Sequence, residues 1–199
     1  MIAEAVRRSP LAGYAERFAA LSAETGGELS IREVSFVAQM NLRADPRDAG
    51  VMQRLASSLG FALPMVPNMV AYAKDRRALW LGPDEWLVVG PDGKQAAIEQ
   101  DLRTGINGAF GSIVDVSANR TVLEIRGVKA RDLLTHGVAI DLDERSLGSG
   151  RCAQTLLAKA AVIMERRDQS AFLLYPRTSF ATYIADFLLD QAAVVSRDE

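Results

Sequence analysis

Asp115-Val116-Ser117-Ala118-Asn119-Arg120-Thr121-Val122-Leu123-Glu124-Ile125-Arg126-Gly127 divides the chain into two stretches of similar order. Asp115 to Asn119 is a polar, turn-forming run. From Thr121 the residues alternate, with Leu123 and Ile125 on one face and Glu124 and Arg126 on the other, as a half-buried strand requires. A short helix through Ala130, Leu133 and Leu134 follows and stops at Gly137. Leu123 and Ile125 are therefore expected in a core. Asn119 and Arg120 are the side chains left most open to a partner.

Upstream, residues 1–30 read as an N-terminal arm. Leu11, Tyr14, Phe18 and Leu21 fall on one helical stripe that stops at Thr25-Gly26-Gly27. Such a stripe either packs on its own domain or docks its aromatic residues on a partner. Ile31–Arg43 alternates like a single strand, and Asp45-Pro46 signals a helix start. Val51, Leu55 and Leu59 mark that helix's inner face, and Gly60 ends it. Strands are predicted around Arg77–Leu81 and Trp86–Val89, then a helix through Ala97, Ile98 and Leu102 and a glycine-rich hinge at Gly105–Gly111.

Downstream the order begins again. Ile113–Val116, Thr121–Arg126, Cys152–Ala158, Ala161–Met164 and Ala171–Tyr175 read as strands. Thr178 or Ser179 is placed to cap a last helix striped by Phe180, Tyr183, Ile184, Phe187 and Leu188. Gly60-Phe61-Ala62-Leu63 echoes Gly137-Val138-Ala139-Ile140, and Trp86-Leu87-Val88-Val89 echoes Phe172-Leu173-Leu174-Tyr175. The expected fold is α+β: one compact domain of two similar sheet-and-helix halves, 31–110 and 111–199. Strands arriving in adjacent pairs argue against a doubly wound parallel sheet.

Composition bounds the function. The 199 residues are 49% hydrophobic and 24% charged, which is ordinary for a globular chain. A net charge of -2 offers no electrostatic case for nucleic acid or an anionic membrane. The single cysteine, Cys152, cannot form an internal disulfide. The first ten residues lack the apolar core of a secretory signal, and Asp186 and Asp190 interrupt the most apolar C-terminal run. A cytoplasmic protein is expected.

Chemistry is sparse. His136, the one histidine, falls at a helix C-terminus, where the dipole favours a cation. One histidine and one cysteine cannot make the familiar zinc patterns, and Cys152 sits in an apolar strand. Gly148-Ser149-Gly150 precedes a strand, so it lacks the helix dipole of a phosphate loop. Asp84-Glu85, read as neighbours on an extended chain, point to opposite faces and make a polar connection. Asp141, Asp143 and Glu144 lack the full calcium-loop spacing and read as a solvated turn. Trp80 and Trp86 read as core, though exposed together they would anchor an interface. An arginine fork such as that of Arg120 suits a carboxylate, a phosphate or an acidic patch. Candidate partner contacts are Tyr14, Phe18, Trp86, Asn119 and Arg120; no catalytic, cofactor-binding or metal-ligating residue is expected.

Seven stretches taken together carry a family resemblance. They are Ser9-Pro10-Leu11, Gln39-Met40-Asn41-Leu42-Arg43, Leu81-Gly82-Pro83-Asp84-Glu85-Trp86-Leu87, Asp115–Gly127, Gly137-Val138-Ala139-Ile140-Asp141-Leu142, Cys152-Ala153-Gln154-Thr155 and Arg177-Thr178-Ser179-Phe180-Ala181. In this order, over nearly the whole chain, they resemble the gamma subunit of heterotetrameric sarcosine oxidase. Position 138 is Val where that family favours Cys. The family is similar in turn to the folate-binding fold of the aminomethyltransferases.

The resemblance implies a cofactor-free subunit of an enzyme that oxidatively demethylates sarcosine to glycine, hydrogen peroxide and a one-carbon unit passed to tetrahydrofolate. Its partners would be the alpha, beta and delta subunits, which would carry FAD, FMN, NAD, zinc and the folate. The aminomethyltransferases place an acidic pair where this chain reads Ala161-Val162-Ile163-Met164, so no catalytic residue carries over. The alternative is a free-standing, folate-binding protein of the aminomethyltransferase kind.

Overall fold

A computed structural model describes residues 7–196; the run from Met1 to Val6, part of the segment read above as no secretory signal, lies outside them. The first helix is α1 (Ala15–Glu24), followed by strands β1 (Ser30–Glu33) and β2 (Ala38–Ala44) and helix α2 (Ala49–Leu59). Next come β3 (Val70–Ala73), β4 (Arg76–Gly82), β5 (Glu85–Gly90) and α3 (Gln95–Ile106). The rest is β6 (Gly111–Asp115), β7 (Leu123–Arg126), α4 (Ala130–Thr135), β8 (Arg151–Leu157), β9 (Ala160–Asp168), β10 (Ala171–Pro176) and α5 (Ala181–Val195).

The strands form two five-stranded sheets, one in the order β6-β2-β5-β4-β3 and the other β1-β7-β10-β9-β8. Every pairing is antiparallel. The orders correspond strand for strand, so the chain is two repeats of β-β-α-β-β-β-α. In each repeat the first strand leaves its own half and joins the other's sheet. β1 adds beside β7, and β6 adds beside β2. This corrects the expectation that 31–110 and 111–199 each close their own sheet. It also moves β6, expected to open the second half, into the first half's sheet.

The exchange happens at two crossings that touch. The first is 34–37, which breaks the single strand expected over Ile31–Arg43. Phe36 adopts φ 62 there, a left-handed conformation that costs a non-glycine residue energy. The second is 116–122, in the opening stretch. Val34 N–H donates to the Val122 carbonyl at 2.8 Å and Val116 N–H to the Gln39 carbonyl at 2.9 Å. The Gln39 amide donates to the Arg120 carbonyl at 2.9 Å. The Glu33 carboxylate accepts from both Ser9 and Thr121, fastening the N-terminal segment to the same place.

Alternation along each strand makes four layers. Met40, Leu42, Trp86 and Val88 face α2 and α3. Leu123, Ile125, Met164, Phe172 and Leu174 face α1, α4 and α5. Between the sheets, Leu79, Leu87, Val89, Ile163, Leu173 and Tyr175 form the inner core. Gly105 lets α3 approach α2 closely, since a Cβ there would lie 2.8 Å from the Leu55 Cα.

Several local expectations change. α2 begins at Ala49, capped by Asp48, whose Oδ1 accepts from Val51 N–H at 3.0 Å. Asp45 instead turns back on Arg47, accepting from its backbone N–H at 2.9 Å. Thr178 does not cap α5; its hydroxyl donates to the Ala118 carbonyl at 2.9 Å, and a 3-10 turn over Thr178–Phe180 leads into the helix. On α5 the buried face is built from Ala181, Ile184, Ala185, Leu188 and Ala192, while Phe180 and Tyr183 lie substantially exposed. Strand β3 had no counterpart in the sequence reading.

Candidate functional site

The aromatic candidates separate on burial. Phe18 is buried in the core beneath the second sheet, so α1 packs on its own domain. Tyr14 is half-buried and donates its hydroxyl to Asp186 of α5 at 3.0 Å, next to an Arg17–Asp186 ion pair. Trp86 is fully buried and is corrected from a candidate partner contact to a core residue. Its indole N–H meets the Pro64 carbonyl at 2.8 Å, which lets so large a polar ring be enclosed. Phe18 is corrected likewise.

Polar groups meet inside the seam between the sheets. Glu165 on β9 is fully buried, a carboxylate one residue beyond the apolar run Ala161–Met164. Its oxygens accept from Tyr72 at 2.9 Å, Arg77 Nε at 2.9 Å, Tyr175 at 2.5 Å and Arg167 at 3.3 Å. Arg77 Nη2 donates in turn to the Tyr175 hydroxyl at 2.8 Å. Tyr72 and Arg77 belong to one sheet, and Glu165, Arg167 and Tyr175 to the other. Burial first, and Glu165 second, push both tyrosines above the ordinary phenol range. Burial opposes the Arg77 cation, but Tyr175 and Glu165 outweigh it and hold the guanidinium above its usual value. A carboxylate so fully occupied fastens the sheets together. The sequence did carry a signal for it: Ala161, Ile163 and Glu165 share one strand face.

The remaining candidates resolve simply. Cys152 is buried, with Sγ 3.4 Å from the Trp80 carbonyl; burial and then Glu165 push its thiol up to about 12, away from nucleophile chemistry. His136 is exposed, its Nδ1 2.9 Å from the Asp132 carbonyl. Asp84 and Glu85, expected to diverge, both turn to Arg43, at 3.3 and 2.6 Å, because a tight connection rather than extended chain holds them. Asp141 accepts from Asp143 N–H and Ser146, while Glu144 pairs with Arg166 at 2.7 Å. Among the described residues no three His, Cys, Asp or Glu side chains are grouped to hold a metal ion. No helix there is long and apolar enough to cross a membrane.

Arg120 stands apart. Its backbone is fixed three ways: Gln39 binds its carbonyl, Arg177 lies opposite it in an isolated antiparallel bridge, and Thr178 N–H donates to the Asn119 carbonyl at 2.9 Å. Asn119 is exposed and Arg120 half-buried. The Arg120 side chain lines two clefts. One, of about 270 Å³, lies against Arg7, Glu33 and Phe36; the other, of about 490 Å³, against Arg177, Gln154 and Leu156.

The model of the sarcosine oxidase, gamma subunit family matches residues 43–194. The chain belongs to that family. It is 37% identical to the sarcosine oxidase subunit gamma of an Arthrobacter species, over 93% of this chain and 89% of the relative. Identity to the subunit of the same name from Corynebacterium sp. strain U-96 is 34%, over 98% and 94%. Among solved structures, a chain of heterotetrameric sarcosine oxidase from Corynebacterium sp. U-96, in complex with pyrrole 2-carboxylate, superposes with a TM-score of 0.88 at 33% identity, covering 97% of this chain and 98% of that one. The glycine cleavage system aminomethyltransferase T from Bartonella henselae gives a TM-score of 0.64 at 14% identity, covering 89% of this chain and 52% of that one. It shows a shared fold and nothing further.

Proposed function

We propose that this gamma-family chain is a non-catalytic subunit of a heterotetrameric sarcosine oxidase, assembled with alpha, beta and delta subunits in the cytoplasm. In this reading the other subunits carry FAD, FMN, NAD, zinc and the tetrahydrofolate site. The assembled enzyme demethylates sarcosine to glycine, hydrogen peroxide and a one-carbon unit. The gamma chain supplies folded surface.

The observation that carries the reading is the full-length likeness to a chain of a heterotetrameric sarcosine oxidase. The seam supports it from the chemical side. Its buried carboxylate, Glu165, is spent on four donors that join the sheets, so the groups at the centre of the fold act as fasteners.

The test is co-expression of the other three subunits with and without this chain. The proposal predicts that leaving it out lowers the yield or lifetime of the flavin-bearing complex, while titration of the isolated chain with tetrahydrofolate gives no saturable signal. Saturable folate binding by the isolated chain would favour a free-standing folate-binding protein instead.

A further inference from the structure

We infer that Arg120 and Arg177 form the receptor for a carboxylate-bearing segment of another oxidase subunit, docked at the cleft they share. The inference rests on the subunit role proposed above and names the surface that serves it. The two arginines are opposed across an antiparallel bridge, and both line the 490 Å³ cleft. Neither makes an ion pair among the described residues. Backbone contacts at 119–120 and 177–178 hold the two residues opposite each other, and like charges anchored side by side repel. Burial first, and then the Arg177 cation, lower the Arg120 guanidinium from its ordinary value, with the Glu85 carboxylate opposing. The site carries unmatched positive charge that a carboxylate would satisfy, with the fork geometry that favours bidentate contact.

The rim points to a protein side chain rather than a small free anion. Leu156, 47% exposed, lines the same cleft together with Ala139 and Ala161. Phe180 and Tyr183, 43% and 40% exposed, follow Arg177 within two turns of chain. The Tyr183 hydroxyl, 3.3 Å from Lys159 N–H, ties the start of α5 to the hairpin that bears Leu156. A free phosphate or carboxylate would leave this apolar surface in water. A segment with an acidic residue beside apolar ones would cover both, in the arrangement of arginine and aromatic anchors common at interfaces.

The test is assembly of the full complex. The Arg120→Glu/Arg177→Glu double variant is co-expressed with the three other subunits, and assembled enzyme is read by size exclusion and flavin absorbance. Lys74→Glu/Lys94→Glu, at two exposed lysines with no ion pair among the described residues, changes the charge by the same amount and controls for charge alone. The Arg120→Lys/Arg177→Lys double variant keeps the charge and should rescue in part. A drop of roughly tenfold or more in assembled complex for the Arg120→Glu/Arg177→Glu variant, with circular dichroism showing the isolated variant folded, is expected. Wild-type assembly by the Arg120→Glu/Arg177→Glu variant, or an equal loss in Lys74→Glu/Lys94→Glu, would overturn the docking site. So would inorganic phosphate saturating the isolated wild-type chain while the Arg120→Glu/Arg177→Glu variant assembles normally. Failure of the wild-type chain to assemble at all would instead overturn the subunit role.

Discussion

Glu165 Oε2 on β9 and Arg77 Nε on β4 meet at 2.9 Å across the seam between the two sheets, with the Glu165 side chain wholly buried. Removing one partner of such a pair leaves an uncompensated charge in the interior. Glu165→Ala is expected to cost roughly 3–5 kcal/mol, read by urea or thermal unfolding. Replacing the most enclosed members together, as Arg77→Met/Glu165→Leu/Tyr175→Phe, should recover most of that loss, because the two donors left without Glu165, Tyr72 and Arg167, are the partly exposed ones. Equal destabilisation by the single and triple variants would show that the site matters by shape and not by charge.

Cys152 gives a pH dependence with a defined sign. Its thiol is pushed up to about 12 in the folded chain, against an unfolded value of about 8.5. Above the unfolded value the unfolded chain loses a proton that the native chain keeps. The contribution is thus complete at lower pH and is lost as pH rises toward the folded value. The slope is about 1.4 kcal/mol per pH unit for this group. Tyr72 and Tyr175, also raised, add to the fall only above about pH 10, the ordinary phenol value. Cys152→Ala should therefore flatten the stability profile between about pH 8.5 and 10. An unchanged slope in that window would mean that the thiol ionises as readily in the fold as outside it.

Gly127 closes the opening stretch at φ 125, and a Cβ there would lie 2.0 Å from the Glu28 carbonyl oxygen. Gly127→Ala must move the β1 entry away from β7 and is expected to cost on the order of 1–3 kcal/mol. Gly93→Ala, also at positive φ but with open space around it, is the comparison: it carries backbone strain without the clash and should cost less. Thermal unfolding of the two variants gives the ordering directly.

Trp86 and Phe110 test the division between core and surface. Trp86 is fully buried and Phe110 is 96% exposed at the turn before β6. Trp86→Ala should cost about 3–5 kcal/mol and Phe110→Ser no more than about 0.5. Unfolding midpoints of the two variants that moved together would contradict that division.

Much of the fold was written in local pattern. The alternation of Leu123 and Ile125, the stripe Val51–Leu55–Leu59 and the stop at Gly60 each follow from one element's own period, and the structure shows each. The echoes Trp86–Val89 and Phe172–Tyr175 fall on β5 and β10, strands in corresponding places of the two sheets. What local pattern does not specify is which sheet a strand joins. Val34, Phe36, Ala38, Met40 and Leu42 keep one alternating phase across the break, and the chain turns between β1 and β2 where Phe36 adopts φ 62. The buried clasp was hidden for the same reason. Glu165 shares a strand face with Ala161 and Ile163, but its partner Arg77 lies 88 residues away and nothing local joins the two. Arg120 was visible as a candidate contact, but its pairing with Arg177 depends on a bridge between distant segments.

The most direct test of the subunit role is capture of the tagged chain from its source cells, followed by subunit mass determination and a flavin absorbance spectrum. Membership in a heterotetrameric oxidase predicts three further chains in equal proportion and a bound-flavin spectrum. Recovery of the chain alone, stable and without flavin absorbance, would contradict it.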